Sequence, residues 1–170
     1  REEHVSQDGI RFSFVTYERW AADADGQLAA LADIAGRLEQ EHIDYWLFGG
    51  WAVDFYAGRV TRPHDDVDLA VWLDDVPRIN DVLESSGWEH APDADEDGGT
   101  GYERSRVRVE LTYLLRKPDG TVVVPLRPFE ATWPDGTFGE DVRTLHGVSA
   151  RVVALSTLAQ GKARGRDDAE

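Results

Sequence analysis

With 33 Asp and Glu against 18 Lys and Arg, the 170-residue chain carries a formal charge of -15. That balance argues against a nucleic-acid surface, which needs clustered positive charge, and favours a cationic small molecule. There is no cysteine, which excludes disulfides, thiolate zinc sites and thiol nucleophiles and permits a reducing, cytoplasmic compartment. No stretch approaches the roughly 18 apolar residues of a membrane span, so no membrane partner is expected. The length suits one domain over 1–170. The start without Met and the uncapped polar end "KARGRDDAE" are expected to be truncated or disordered.

Residues 27–40, "QLAALADIAGRLEQ", place Leu28, Leu31, Ile34, Ala35 and Leu38 at helical spacing, which predicts an amphipathic helix. "DYWLFGG" follows as a short buried strand over 45–48 ended by Gly49 and Gly50, and "WAVDFYAG" as a brief helix closed at Gly58. "VDLAVWL" is a second strand, and "DDVPRINDVLESSG" a helix with Asp74 as N-cap and Gly87 as stop. The acidic, glycine-rich 91–101 segment reads as a surface loop. Two strands, "SRVRVELTYLL" and "TVVVPL", are joined by a "RKPDG" turn, and a last helix is expected in "ALSTLAQGKARGRDDAE". The order predicts an α/β (α+β) fold, with strands and helices in packed layers.

Side chains two apart on a strand share a face, so Asp66 and Asp68 emerge together while Val67, Leu69 and Val71 enter the core. On the later strand Arg106, Arg108, Glu110 and Thr112 share a face; if the strands are neighbours, Glu110 joins the pair. Three carboxylates on one face repel unless a cation sits among them, and hard oxygen ligands favour Mg²⁺ or Mn²⁺. Mg²⁺ usually completes its shell with substrate phosphates, which points to nucleotide chemistry. Gly49 and Gly50, between strand and helix, let backbone N–H groups approach phosphate oxygens. A lone D-x-D is more often a solvated surface pair; its position fewer than 20 residues after a strand-Gly-Gly-helix unit is what makes it selective. Neither a P-loop nor a G-x-G-x-x-G motif occurs.

The string "LFGGWAVDFYAGRVTRPHDDVDLAV", residues 47–71, resembles the signature of the DNA polymerase β-like nucleotidyltransferase superfamily. Within it, the string is most similar to aminoglycoside-2''-adenylyltransferases and lincosamide nucleotidyltransferases. The resemblance implies a small mixed β-sheet flanked by helices, Mg²⁺ dependence, and transfer of a nucleoside monophosphate from ATP or another NTP to a substrate hydroxyl. It places Asp66 and Asp68 as metal-binding aspartates and Glu110 as the third carboxylate, a ligand, a general base or both. Gly49, Gly50, Arg62 and Lys162 are the expected nucleotide contacts. Arg59, His64 and Arg166 are equally explained by charge balance, loop structure and an exposed helix. Many relatives continue past this chain's end with a helical region that helps bind the acceptor, so a partner copy in a homodimer is one way to complete that wall. The net charge favours an aminoglycoside over a lincosamide. The alternatives are a minimal nucleotidyltransferase acting on a protein partner, as in toxin–antitoxin pairs, and a binding module without turnover.

Overall fold

The computed structural model describes residues 23–93 and 97–160. The first helix, α1, runs over 23–40, longer at its start than the 27–40 pattern because Ala24 continues the buried stripe of Leu28, Leu31, Ile34, Ala35 and Leu38. β1 (Trp46–Phe48) leads directly into α2 (Gly49–Ala57). Gly58 ends α2 in the left-handed region, φ 74°, with its N–H on the Asp54 carbonyl. β2 is Val67–Trp72. The expected cap at Asp74 is not formed: a 3₁₀ turn, Leu73–Asp75, intervenes, and α3 (Val76–Ser85) has Asp75 at its N-cap position without a side-chain cap bond. Pro77 lies in the first turn of α3, where its missing donor costs nothing.

The 91–101 segment is only partly a loop. β3 (Glu89–His90) and β4 (Gly99–Arg104) form a ribbon that pairs with β5 (Val107–Arg116). Glycine hid this strand from a propensity reading. A Cβ at Gly99 would strike the Leu111 carbonyl, so glycine here serves close backbone approach. The "RKPDG" turn forms as expected: Lys117 N–H donates to Thr121 O (2.8 Å), Gly120 has φ 90°, and β6 (Val122–Val124) returns along β5. β7 (Ala131–Thr132) and the β8–β9 hairpin (Val142–Leu145, Val148–Arg151) complete the strands. A last helix, α4, occupies 155–160; its expected continuation with Lys162 and Arg166 lies outside the described residues.

The main sheet runs β1-β2-β5-β4-β3, with β2 and β5 parallel and the other neighbours on this path antiparallel; β6 and β7 extend β5. One face carries Leu47, Leu69, Val71, Val109 and Leu111 against α1, α2 and α3 through Leu31, Trp51, Phe55, Ile79 and Leu83. The opposite face changes character along its length. At one end Trp46, Ala70, Leu114 and Val153 form a second apolar cluster with Phe48, Trp72, Trp133 and Phe138; at the other end the face is polar. No helix among the described residues is long and apolar enough to cross a membrane.

Candidate active site

The strand register aligns Phe48 with Asp68, Asp68 with Glu110 and Glu110 with Gly101, so these four positions form one row across β1, β2, β5 and β4. Asp66 stands immediately before β2 and hydrogen-bonds to Asp68. Burial, the charge of Asp66, that hydrogen bond and the charge of Glu110 push the Asp68 carboxyl up to about 7, against the opposing pull of Arg62. Asp66 and Glu110 therefore both act on Asp68; the strands are neighbours, the condition on which Glu110 was expected to join the pair.

Both glycines are explained, by different causes. Gly49 adopts φ 70°, a region L side chains rarely enter, and a Cβ there would run into the Asp68 carboxylate. Gly50 has no such angle; a Cβ on it would lie 2.5 Å from Arg62 Nη2 and 2.6 Å from His64 Nδ1. The start of α2 is thus lined by Asp68 on one side and by Arg62 and His64 on the other.

A buried carboxylate that the sequence reading passed over holds this arrangement. Asp54, fully buried on α2, accepts the Thr61 N–H (3.1 Å), the Thr61 hydroxyl and the ring N–H of His64 at Nε2 (2.5 Å). That hydrogen bond leaves Nδ1 facing Gly50. The His64 ring packs on Trp51 with centroids 4.6 Å apart, and Gln27 ties the assembly to α1 by donating to His64 O (2.7 Å) and accepting from Trp51 Nε1 (3.1 Å). A signal existed: Asp54 lies in the same helical stripe as Trp51 and Phe55, where an unpaired carboxylate would not be tolerated.

Glu110 is drawn sideways. Its Oε1 accepts a 2.5 Å bond from Arg108 Nε, and no three His, Asp or Glu side chains among the described residues form a ready metal cluster. The Asp66–Asp68 pair still fits a divalent ion of the kind that binds one or two carboxylates plus phosphates: Arg62 offsets its repulsion only in part, and a shared proton or a bound cation relieves the rest. Asp65 is exposed and borders a cleft of about 270 Å³ with Gln27, His64 and Arg106. A cavity of about 410 Å³ opens beyond the β4–β5 turn and meets this region at Glu103 and Arg108, away from the aspartate pair.

The family model for aminoglycoside-2''-adenylyltransferase matches residues 30–166. A 2''-aminoglycoside nucleotidyltransferase of Klebsiella pneumoniae is 42% identical over 43 residues, 25% of this chain and 24% of that protein. A lincosamide resistance protein of Staphylococcus haemolyticus is 33% identical over 52 residues, 31% and 32% of the respective chains. The chain thus spans about a quarter of the length of the first relative and about a third of the second. The crystal structure of ANT(2'')-Ia in complex with adenylyl-2''-tobramycin superposes with a TM-score of 0.67 at 20% identity, covering 84% of this chain and 78% of that one. Lincomycin-bound LnuA, a lincosamide antibiotic adenylyltransferase, gives 0.58 at 17% identity, covering 72% and 77%. The structural likenesses show a shared nucleotidyltransferase fold, and the family model spans β1 to α4 with both carboxylate-bearing strands. The chain belongs to the aminoglycoside-2''-adenylyltransferase family.

Proposed function

We propose that the chain is a metal-dependent nucleotidyltransferase that moves AMP from ATP to a hydroxyl of an aminoglycoside. The observation that carries this reading is the Asp68–Glu110 register beside a helix start whose two glycines open onto Asp68, Arg62 and His64. Asp66 and Asp68 are assigned the ion, which when bound offsets phosphate charge and acidifies the acceptor hydroxyl. The N–H groups at the start of α2, with Arg62, bind the triphosphate. Glu110 serves the acceptor side of the reaction. The acidic β4 side, with Asp93 and Glu103 both exposed, suits an acceptor bearing several ammonium groups.

The deciding experiment incubates the chain with ATP, Mg²⁺ and a panel of aminoglycosides and lincosamides. An aminoglycoside should gain the mass of one nucleoside monophosphate. Gain by a lincosamide alone would favour the second reading, which the Staphylococcus haemolyticus relative supports; no gain on any acceptor would remove the assignment. Gly50→Ala, which forces Arg62 and His64 off the helix start, should weaken Mg·ATP binding about tenfold in a fluorescence titration. Glu110→Gln should lower kcat about 100-fold while the KM for ATP stays within about threefold, and unchanged kcat would take Glu110 out of the site.

A further inference from the structure

We infer that Arg108 is a positioning residue: it fixes Glu110, the carboxylate proposed above for the acceptor side, in one orientation and away from the Asp66–Asp68 pair. The inference rests on the proposed transferase function and deepens it.

Arg108 and Glu110 lie two residues apart on β5 and share the polar face. The guanidinium is seated in a slot made for it. It lies over Gly101, the register partner of Glu110: a Cβ on Gly101 would come within 2.7 Å of Arg108 Cζ and 2.8 Å of the Ala91 carbonyl. Three carboxylates surround the guanidinium, but they are not equivalent. Glu103 (3.0 Å from Nη1) and Asp93 (3.2 Å from Nη2) have side chains 57% and 72% exposed, where ion pairs fix little. The Glu110 side chain is 25% exposed and that of Arg108 21%, and their 2.5 Å bond is the shorter and less exposed of the two charge-assisted hydrogen bonds Arg108 makes, the other being to Glu103. Nη2 is buried without a hydrogen bond of its own, so the guanidinium is placed by the Gly101 slot and by Glu110 and not by its outermost partner.

A carboxylate with one oxygen committed to a fixed guanidinium keeps a single orientation, which is what a general base requires. In the transfer step the acceptor oxygen bonds to the α-phosphorus, the bond to the pyrophosphate oxygen breaks with its electron pair leaving on pyrophosphate, and the hydroxyl proton passes to Glu110. A Glu110 drawn into the ion's shell would be spent as a ligand. Arg108 prevents that, and Gly101 admits Arg108.

The test compares wild type, Arg108→Met, Arg108→Lys, Glu110→Gln and Gly101→Ala, with melting temperatures to confirm folding. Steady-state transfer is read alongside binding of Mn²⁺ alone, followed by the paramagnetic signal of the free ion. Arg108→Met is expected to lower kcat about 30-fold with both KM values within about threefold, yet to bind Mn²⁺ several-fold more tightly because Glu110 is released toward the aspartates. Arg108→Lys should recover part of kcat, and Glu110→Gln should leave Mn²⁺ affinity within about twofold of wild type. Gly101→Ala should lower kcat in the wild-type background and have little effect on kcat when combined with Arg108→Met; if Arg108→Met is unstable, Arg108→Lys decides the matter, a kcat equal to wild type with unchanged Mn²⁺ affinity overturning the inference. Wild-type kcat in Arg108→Met, or a Glu110→Gln chain that has lost Mn²⁺ affinity, overturns the inference while leaving the transferase reading intact. A wild type that transfers to no acceptor defeats that reading and this one with it.

Discussion

Asp68→Asn should make the protein inactive and, above neutral pH without divalent ions, more stable. Transfer should fall by at least about 10³-fold, since the variant loses one of the two carboxylates assigned to the ion and no core volume. The stability gain follows from the carboxyl held at about 7. A folded-state pKa above the unfolded value means that the native chain binds more protons than the unfolded one between about 4 and 7. Stability is therefore lost as pH rises through that window, and the full penalty is present above it. Discounted for the solvent-facing side of the carboxyl, the penalty is about 2 kcal/mol, and removing it should raise Tm at pH 8 by roughly 5 °C. At pH 4 the two proteins should melt together. Adding Mg²⁺ at pH 8 should raise the wild-type Tm and leave the variant unmoved. A variant that melts below wild type at pH 8 would show that Asp68 is not strained by its neighbours.

Asp54→Ala should be among the most destabilising single substitutions in the chain. It strips the Thr61 N–H, the Thr61 hydroxyl and His64 of one common acceptor in a fully buried position, and stranded buried donors with a lost charge cost about 3–4 kcal/mol. A Tm lower by roughly 10 °C is expected. The damage reaches the site, because the 61–64 turn carries Arg62 and His64 over Gly50; Mg·ATP affinity should fall more than it does in Gly50→Ala. Asp54→Asn, which keeps an acceptor oxygen, should recover part of both losses. A fully stable Asp54→Ala chain would mean that solvent replaces the carboxylate and that the turn needs no anchor.

How far the sequence could be read follows from the range of the interactions involved. Local alternation placed Asp66 and Asp68 on one face and Val67, Leu69 and Val71 on the other, and local turn chemistry placed Gly58 and the Lys117–Thr121 hairpin. The resemblance over 47–71 supplied the expectation that Asp68 and Glu110 meet. The register that brings them together is a parallel pairing across more than forty residues, and nothing in either strand alone specifies it. Glycine misled: Gly99 and Gly101 read as loop because their role is to admit a carbonyl and a guanidinium, which appear only after folding. The Asp74 cap failed because a 3₁₀ turn and Pro77 shift the helix start. Arg108 was placed on the right face, but its partner could not be chosen from composition, since Asp93, Glu103 and Glu110 were all within reach.

The parallel pairing of β2 with β5 has a consequence for how this fold can change. Between Trp72 and Val107 the polypeptide leaves the sheet, builds α3, β3 and β4, and returns to lie beside the strand it left. Asp68 and Glu110 are pinned by the six-residue register on either side of this detour, so lengthening or rewriting the 91–97 stretch leaves their mutual spacing untouched. Under the proposed function, acceptor preference can drift on that excursion while the groups assigned to the transfer step stay where they are.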